Sequence, residues 1–376
     1  METWKKVLQM ENRTWVSWDF IEAFMVSAFV AIGVPKEDAE ICADVLMESD
    51  RRGIESHGVN RFKPIYIDRI NAGIQQPVTT IDIIKETPAT AVLDANHGMG
   101  MVASKRAMEL AIEKAKTYGI GMVAVTNSTH YGIAGYYVTM ATDEGLIGIT
   151  GTNARPSVAP TFGVENMLGT NPLTFGLPTD EEFPFVLDCA TSITQRGKIE
   201  YYAKEGKATE AGKVVGRDGT AKTDSVQILK DLISGEAALA PLGGIGEELA
   251  GYKGYGYSAV VEILSAALQA GNFMKMLSGF DQDGNRIPYG LGHFFIAIDP
   301  DAFMGQASFR KTAGDILRAL RSSDKAPGQD RIYTAGEKEH LVWLERKDKG
   351  VPLNAAVQDD FRAVKEMLHL DIELPF

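Results

Sequence analysis

Between residues 89 and 126 the chain spells out a strand, a helix and a second strand, and no other stretch limits its fold as tightly. Residues 89–94 (ATAVLD) form a short β-type run, 97–100 a glycine turn, and 104–118 a long helix for which Ser104 is a candidate cap. Gly119 ends that helix, and 120–126 (IGMVAVT) reads as a buried strand. Strand, helix and strand in this order predict an α/β protein.

The turn itself, His97-Gly98-Met99-Gly100-Met101-Val102-Ala103, has the G-x-G-x-x-A spacing of a dinucleotide fingerprint in the expected place. Such a site also needs a carboxylate at the end of the second strand to hold the ribose. The chain offers Thr126, Asn127 and Ser128 there. The glycines therefore suit a tight turn and close approach of helix to sheet better than phosphate binding. A second glycine-rich stretch, 241–246 with 251–256, is the better candidate for a backbone cradle, with Lys253 as its point charge.

Elsewhere the text predicts two amphipathic helices over 18–49, with Pro35 in the first turn of the second. A polar break at 51–60 follows, then an apolar stripe over 61–70. A helix at 134–144 and strands at 146–151, 173–177, 185–188 and 293–299 continue the α/β pattern. Residues 204–239 turn polar and predict a surface excursion. Residues 257–270 predict a helix apolar nearly all round and hence buried.

Composition narrows the function. The chain has 376 residues and a formal charge of −12, with no basic run, which argues against nucleic acid as a partner. Cys42 and Cys189 are too few for a disulfide framework and lack zinc-site spacing, which suits a reducing compartment. Neither the opening residues nor any later stretch has the apolar length of a leader or membrane span, so the expectation is a cytoplasmic protein with no membrane partner.

Six histidines can be weighed one by one. His293, His340 and His369 lie in strand or helix contexts that suit packing or solvation, and His97 belongs to the glycine turn. His57 and His130 differ, since each sits in a loop of small polar residues, where chemistry is commonly placed.

Around these two the motifs become specific: SHGVNRF (56–62), NSTHYG (127–132), MLGTNPLTFGLPT (167–179), LDCATS (187–192) and YKGYG (252–256). Together, and in this order, they resemble the malate/L-lactate dehydrogenase family with a non-Rossmann nicotinamide fold. That family also takes in ureidoglycolate, sulfolactate and diketogulonate dehydrogenases and piperideine-carboxylate reductase. The resemblance implies an α/β fold with a central mixed-sheet cofactor domain (121–304) and a discontinuous, helix-rich substrate and dimerisation domain (1–120 with 305–376). It implies a homodimer, a small 2-hydroxy or 2-oxo acid as substrate, and NAD or NADP as cofactor, NAD being favoured.

Carried over by motif, His57 corresponds to the proton donor and acceptor, with Ser56 and Asp188 as its relay partners. His130, Tyr131, Gly132, Asn153, Asp188, Cys189, Ala190, Tyr252, Lys253, Gly254, Gly336 and Glu337 fall where relatives line the nucleotide. Oxidising a 2-hydroxy acid further needs a cation for the carboxylate, and Arg61, ahead of Arg52, is the candidate clamp. An imidazole with an intrinsic pKa near 6.5 suits the proton transfer. Ser56 either relays a proton or caps a turn, and Asp188 either orients the imidazole or caps a strand. Asn171 approaches substrate or nicotinamide or shapes its own turn, and Arg155 meets a 2′-phosphate or only solvent. Two other readings stay open: a cyclic imine reductase, and a nucleotide-binding scaffold without catalysis.

Overall fold

The computed structural model describes residues 13–376. Residues 1–12, on which the expectation of no leader partly rests, lie outside the described residues. Strand β1 (Thr14–Val16) leads into helices α1 (Trp18–Ala31) and α2 (Lys36–Arg51). The Ser17 hydroxyl caps α1 by accepting the Phe20 N–H at 3.3 Å. Pro35 is the N-cap of α2, one position earlier than expected, and Glu37 and Asp38 sit at the positive end of that helix.

After a wide helical turn, Phe62–Ile67, and the short helix α3 (Asp68–Asn71), strands β2 (Asp82–Glu86) and β3 (Thr90–Asp94) enter the sheet. Helix α4 (Gly100–Tyr118) and β4 (Ile120–Ser128) complete the expected unit, with β3 and β4 parallel. The helix starts four residues before Ser104, whose side chain is buried inside it. The Gly100 N–H donates instead to the Thr129 hydroxyl at 2.9 Å, and that hydroxyl donates to the Gly98 carbonyl at 2.8 Å. A Cβ at Gly100 would collide with the backbone of Thr129 and His130. The fingerprint-like glycines thus bring helix and loop into contact, and the loop fills the place a phosphate would need.

Helix α5 (Ala134–Asp143), strands β5 (Ile147–Thr152), β6 (Leu173–Leu177) and β7 (Phe185–Cys189) follow. Helix α6 (Arg196–Lys204), strand β8 (Val214–Gly216), helix α7 (Ser225–Ser234) and strand β9 (Ala237–Leu239) come next. Residues 204–239 are therefore not a plain surface excursion. Val214, Ile228, Ala237 and Leu239 join Val158, Leu168 and Ile199 in a small core of their own, spread too thinly through the polar text to be read there.

Helix α8 (Gly251–Ala266) and strand β10 (Leu291–Ile298) bring the chain back to the sheet. Helices α9 (Gln306–Ser322) and α10 (Glu337–Arg346), strand β11 (Val351–Leu353) and helix α11 (Ala355–Met367) end it. The expected buried helix is displaced and only half buried. Ser258, Val261, Glu262 and Ser265 of α8 face the protein, while Tyr257 and Ile263 are 58% and 60% exposed.

The seven-stranded sheet has the order β2-β3-β4-β10-β5-β6-β7, antiparallel except for β3–β4. Along β10, Phe295 and Ala297 join α4 and α5 in one core, while Gly292, on the opposite face, approaches Ser265 of α8, as a two-residue period requires. A second core belongs to the chain's two ends. Ile21, Phe24, Met25, Cys42 and Leu46 meet Val357, Phe361 and Val364, with Phe361 stacked 4.7 Å from Phe24 and β1 paired to β11. The two ends of the chain thus share one core, and the sheet already begins at Asp82, with β3 and β4 pairing in parallel on either side of α4.

Candidate active site

Pairing register gathers the site at one sheet edge. Ser128 of β4 lies opposite Leu291 of β10, Thr152 of β5 opposite His293, and Cys189 of β7 opposite Leu173 of β6. The loops at 129–133, 153–155, 170–172 and 189–191 therefore all open at that edge, together with the loop before β10. The helix-rich unit supplies the remaining loop, 52–61.

That loop is pinned from beneath. The buried Asp50 carboxylate of α2 accepts the Val59 N–H at 2.7 Å, and a side chain on Gly58 would collide with it. Arg346 of α10 donates to the Asp50 carbonyl at 2.6 Å and pairs with Glu55. Burial raises the Asp50 pKa to about 7, against the opposing pull of the Val59 N–H.

His57 sits on this support. Its Nδ1 is 2.9 Å from the exposed Ser56 hydroxyl, and the Arg61 Nε donates to the Ser56 carbonyl at 2.6 Å. Burial, then the nearby Arg61 charge, lowers the His57 pKa to about 4, so the ring is neutral at pH 7. With Nδ1 donating to Ser56, Nε2 is left with a free lone pair for a substrate hydroxyl proton.

His130 faces it. The two imidazoles stack with centroids 5.7 Å apart and planes 16° from parallel. The Tyr66 hydroxyl is 2.7 Å from His130 Nδ1, which also accepts the Gly132 N–H at 3.3 Å, and this favours the tautomer with its proton on Nε2. Burial, followed by His57, Arg69 and Arg61, holds His130 well below its ordinary pKa. Beside it Tyr131 stacks on His293 at 4.7 Å, and burial brings the His293 pKa down to about 3. Gly132 has φ +81° and passes so close to Val45 that a Cβ would press on it at 2.5 Å.

Asp188 does not join His57. Its carboxylate accepts the Gly135 N–H at 2.6 Å and the Thr174 hydroxyl at 3.1 Å, and burial raises its pKa. The direct relay expected for it is thus absent within the chain, because α5 and β6 claim both oxygens. Asp188 instead borders a cleft of about 610 Å³ that runs from Arg52 and Ile54 of the His57 loop to Gly336 and Lys338. Arg52 is tied to Glu48 at 2.7 Å, so it is no free clamp.

The remaining expected residues divide in two. Gly336 lines the cleft with φ +88°, whereas the buried Glu337 beside it binds the Thr334 N–H at 3.0 Å and pairs with Arg331 and Arg321. Asn153 is consumed by the fold, donating to the Asn272 carbonyl at 3.0 Å and accepting the Gly292 N–H at 2.8 Å. Asn171 is consumed likewise, donating to Glu262 at 2.7 Å from a left-handed backbone. The Cys189 thiol contacts the Leu173 carbonyl, and Ala190 is partly exposed beyond it. Thr191 then accepts the Leu242 N–H at 2.8 Å, and Gly254 packs directly on Leu242. Residues 251–256 are the helical start of α8 rather than a flexible turn, and Tyr252 and Lys253 are exposed on it.

Sequence reasoning missed Asp50, Tyr66 and Arg346. Tyr66 was hidden in an apolar stripe, and Asp50 and Arg346 sat on helices where a charge ordinarily faces water. A buried carboxylate followed nine residues later by its N–H partner leaves no periodic mark.

Comparison with known proteins gives the family. The malate/L-lactate dehydrogenase family matches residues 16–362. The chain is 41% identical over 361 residues to a malate dehydrogenase of Pyrococcus horikoshii, covering 96% of this chain and 97% of that one. It is 38% identical over 370 residues to an L-sulfolactate dehydrogenase of Methanocaldococcus jannaschii, covering 98% of each. The crystal structure of a malate dehydrogenase from Entamoeba histolytica superposes with a TM-score of 0.92 at 44% identity, over 97% of this chain and 100% of that one.

Proposed function

The chain belongs to the malate/L-lactate dehydrogenase family, and on that premise we propose that His57 exchanges the proton while a 2-hydroxy acid and its 2-oxo acid are interconverted. The enzyme is an oxidoreductase acting on a CH–OH group with a nicotinamide cofactor. The observation that carries the assignment is a neutral imidazole at the sheet edge, bonded to an exposed serine and flanked by an arginine with no acid partner among the described residues.

In the oxidative direction, His57 Nε2 takes the hydroxyl proton, and Ser56 accepts the Nδ1 proton as its own hydroxyl proton passes to solvent. Arg61 holds the substrate carboxylate. Its attraction for that anion, together with the anion's own charge, raises the His57 pKa from its depressed free value once substrate is bound. His130 Nε2–H, fixed by Tyr66, is a neutral donor for the 2-oxygen.

The cleft beside Asp188 fits a nucleotide. Its volume lies in the range of cofactor sites, and Gly135 and Gly336 keep its wall open, since a Cβ on either would press on neighbours at 2.9 Å. Lys338 and Gly336 would hold the group against the wall at Asp188, with Cys189, Ala190, Tyr252, Lys253 and Gly254 extending the contact toward α8. When bound, the nicotinamide supplies the hydride acceptor or donor. NAD is our preferred form, because the cleft wall carries Glu48, Asp143, Glu182 and Glu339, which disfavour an added 2′-phosphate.

A homodimer in the cytoplasm completes the proposal. The half-exposed tyrosines and aliphatics of α8, with Phe273 and Met276 beside them, support a second copy as the cover. Two unpaired cysteines support a reducing compartment. Among the described residues no helix is long and apolar enough to cross a membrane. A panel of 2-oxo acids assayed with NADH and NADPH in parallel tests the function. Turnover of pyruvate or oxaloacetate supports it, and reduction of piperideine carboxylate alone would replace it with imine chemistry.

A further inference from the structure

Helix α10 has one end in the cleft and the other beneath the His57 loop. Its N-cap Gly336 and its residues Lys338 and Trp343 line the cleft, which Arg52 and Ile54 of that loop line as well. Ten residues, Glu337–Arg346, make a rod of about 15 Å. Arg346 is the last of them and is 1% exposed.

The two terminal nitrogens of Arg346 hold two points of the loop. Nη1 donates to the carbonyl of Asp50, in the last turn of α2, at 2.6 Å, and Nη2 pairs with the Glu55 carboxylate, immediately before Ser56 and His57. Its Nε finds no acceptor among the described residues, so the fork alone fixes the side chain. Between those two points the chain closes tightly, the Ile54 carbonyl accepting from the Ser49 hydroxyl at 2.7 Å and from the His57 N–H at 3.0 Å. A planar guanidinium spans two acceptors at once, where a lysine offers a single point charge. A fully buried ion pair adds little net stability, because taking both charges out of water offsets their attraction. What the fork supplies here is geometry, the placement of the residue next to Ser56 relative to the helix that walls the cleft.

We propose that Arg346 is a positioning residue: through Glu55 it registers the His57 loop on α10, so that a nucleotide seated against α10 also orders the loop for proton transfer. Coupling of this kind is reciprocal, and substrate held at His57 tightens the nucleotide by the same factor. The inference rests on the nucleotide cleft and the His57 assignment proposed above, and goes beyond them to the link between the two.

The test follows amide hydrogen exchange of residues 52–61 with and without reduced nucleotide, NADH or NADPH, whichever a fluorescence titration shows to bind. In the wild type the nucleotide slows exchange there at least about threefold. Arg346→Lys, and the double variant Glu55→Leu with Arg346→Met, lose most of that slowing. The double variant removes both members of the buried pair, which keeps the cost to folding small. Glu55→Gln, on a partly exposed side chain, loses part of the slowing and guards against a folding failure of the others. In the same variants kcat falls at least about tenfold, as expected of a displaced proton-transfer group, while nucleotide affinity measured without substrate changes less than about threefold. A residue that served stability alone would lower the melting temperature and speed exchange throughout, yet leave the nucleotide-dependent difference at 52–61 intact. Full slowing retained in the variants that fold overturns the proposal, and so does its absence in the wild type. A wild-type chain that binds neither nucleotide removes the reading on which the link rests, an outcome distinct from binding without slowing.

Discussion

The imidazole of His57 lies face to face with that of His130, 5.7 Å between centroids and 16° from parallel, although 73 positions separate them in the chain. Two buried rings this close cannot both carry a proton cheaply, so at neutral pH both are uncharged, and only one needs to gain a proton in each turnover.

His57→Ala is expected to lower kcat by at least about a hundredfold while nucleotide affinity stays near its wild-type value, since the ring handles a proton and does not line the cleft beside Asp188. Steady-state kinetics with a fluorescence titration of the nucleotide checks this. A variant with full turnover would remove His57 from the chemistry.

The pH profile follows from the sign of the shift. A base with a pKa of about 4 in the free enzyme is already deprotonated above pH 5, so kcat/KM for hydroxy-acid oxidation should show its acidic limb near pH 4 and none near 6.5. An acidic limb at 6.5 or above would mean that burial and Arg61 do not govern this ring.

Asp50 should make the loop sensitive to alkali. Its folded pKa of about 7 exceeds the ordinary 3.8, so the folded state binds the extra proton between those values. The stability this group contributes is complete below pH 3.8 and is lost as the pH rises through 7. Asp50→Asn keeps an acceptor for the Val59 N–H without the buried charge, and its melting temperature should gain a few degrees on wild type between pH 6 and 8.5, on the order of 1 kcal/mol. A difference that does not change with pH would count against this account.

Lys253→Ala should weaken nucleotide binding several-fold with little change in kcat at saturating cofactor, because an exposed lysine on the first turn of α8 supplies charge for the nucleotide rather than the proton-transfer group. Calorimetric titration with NADH and NADPH decides it, and an unaltered affinity for both would place Lys253 outside the site.

Local order in the chain was enough to write down the β3–α4–β4 unit, the two opening helices, and the loops that carry His57 and His130, because periodicity and glycine turns are short-range properties. It was also enough to show that the 97–103 turn lacks the acid a dinucleotide fingerprint needs. The partners of those residues belong to the tertiary structure. Asp50 under the His57 loop, Tyr66 on His130 and Gly135 on Asp188 come together only when distant parts of the chain pack against one another. Burial then sets the charge of each group, and burial is a property of the whole packed molecule that no run of neighbouring residues contains.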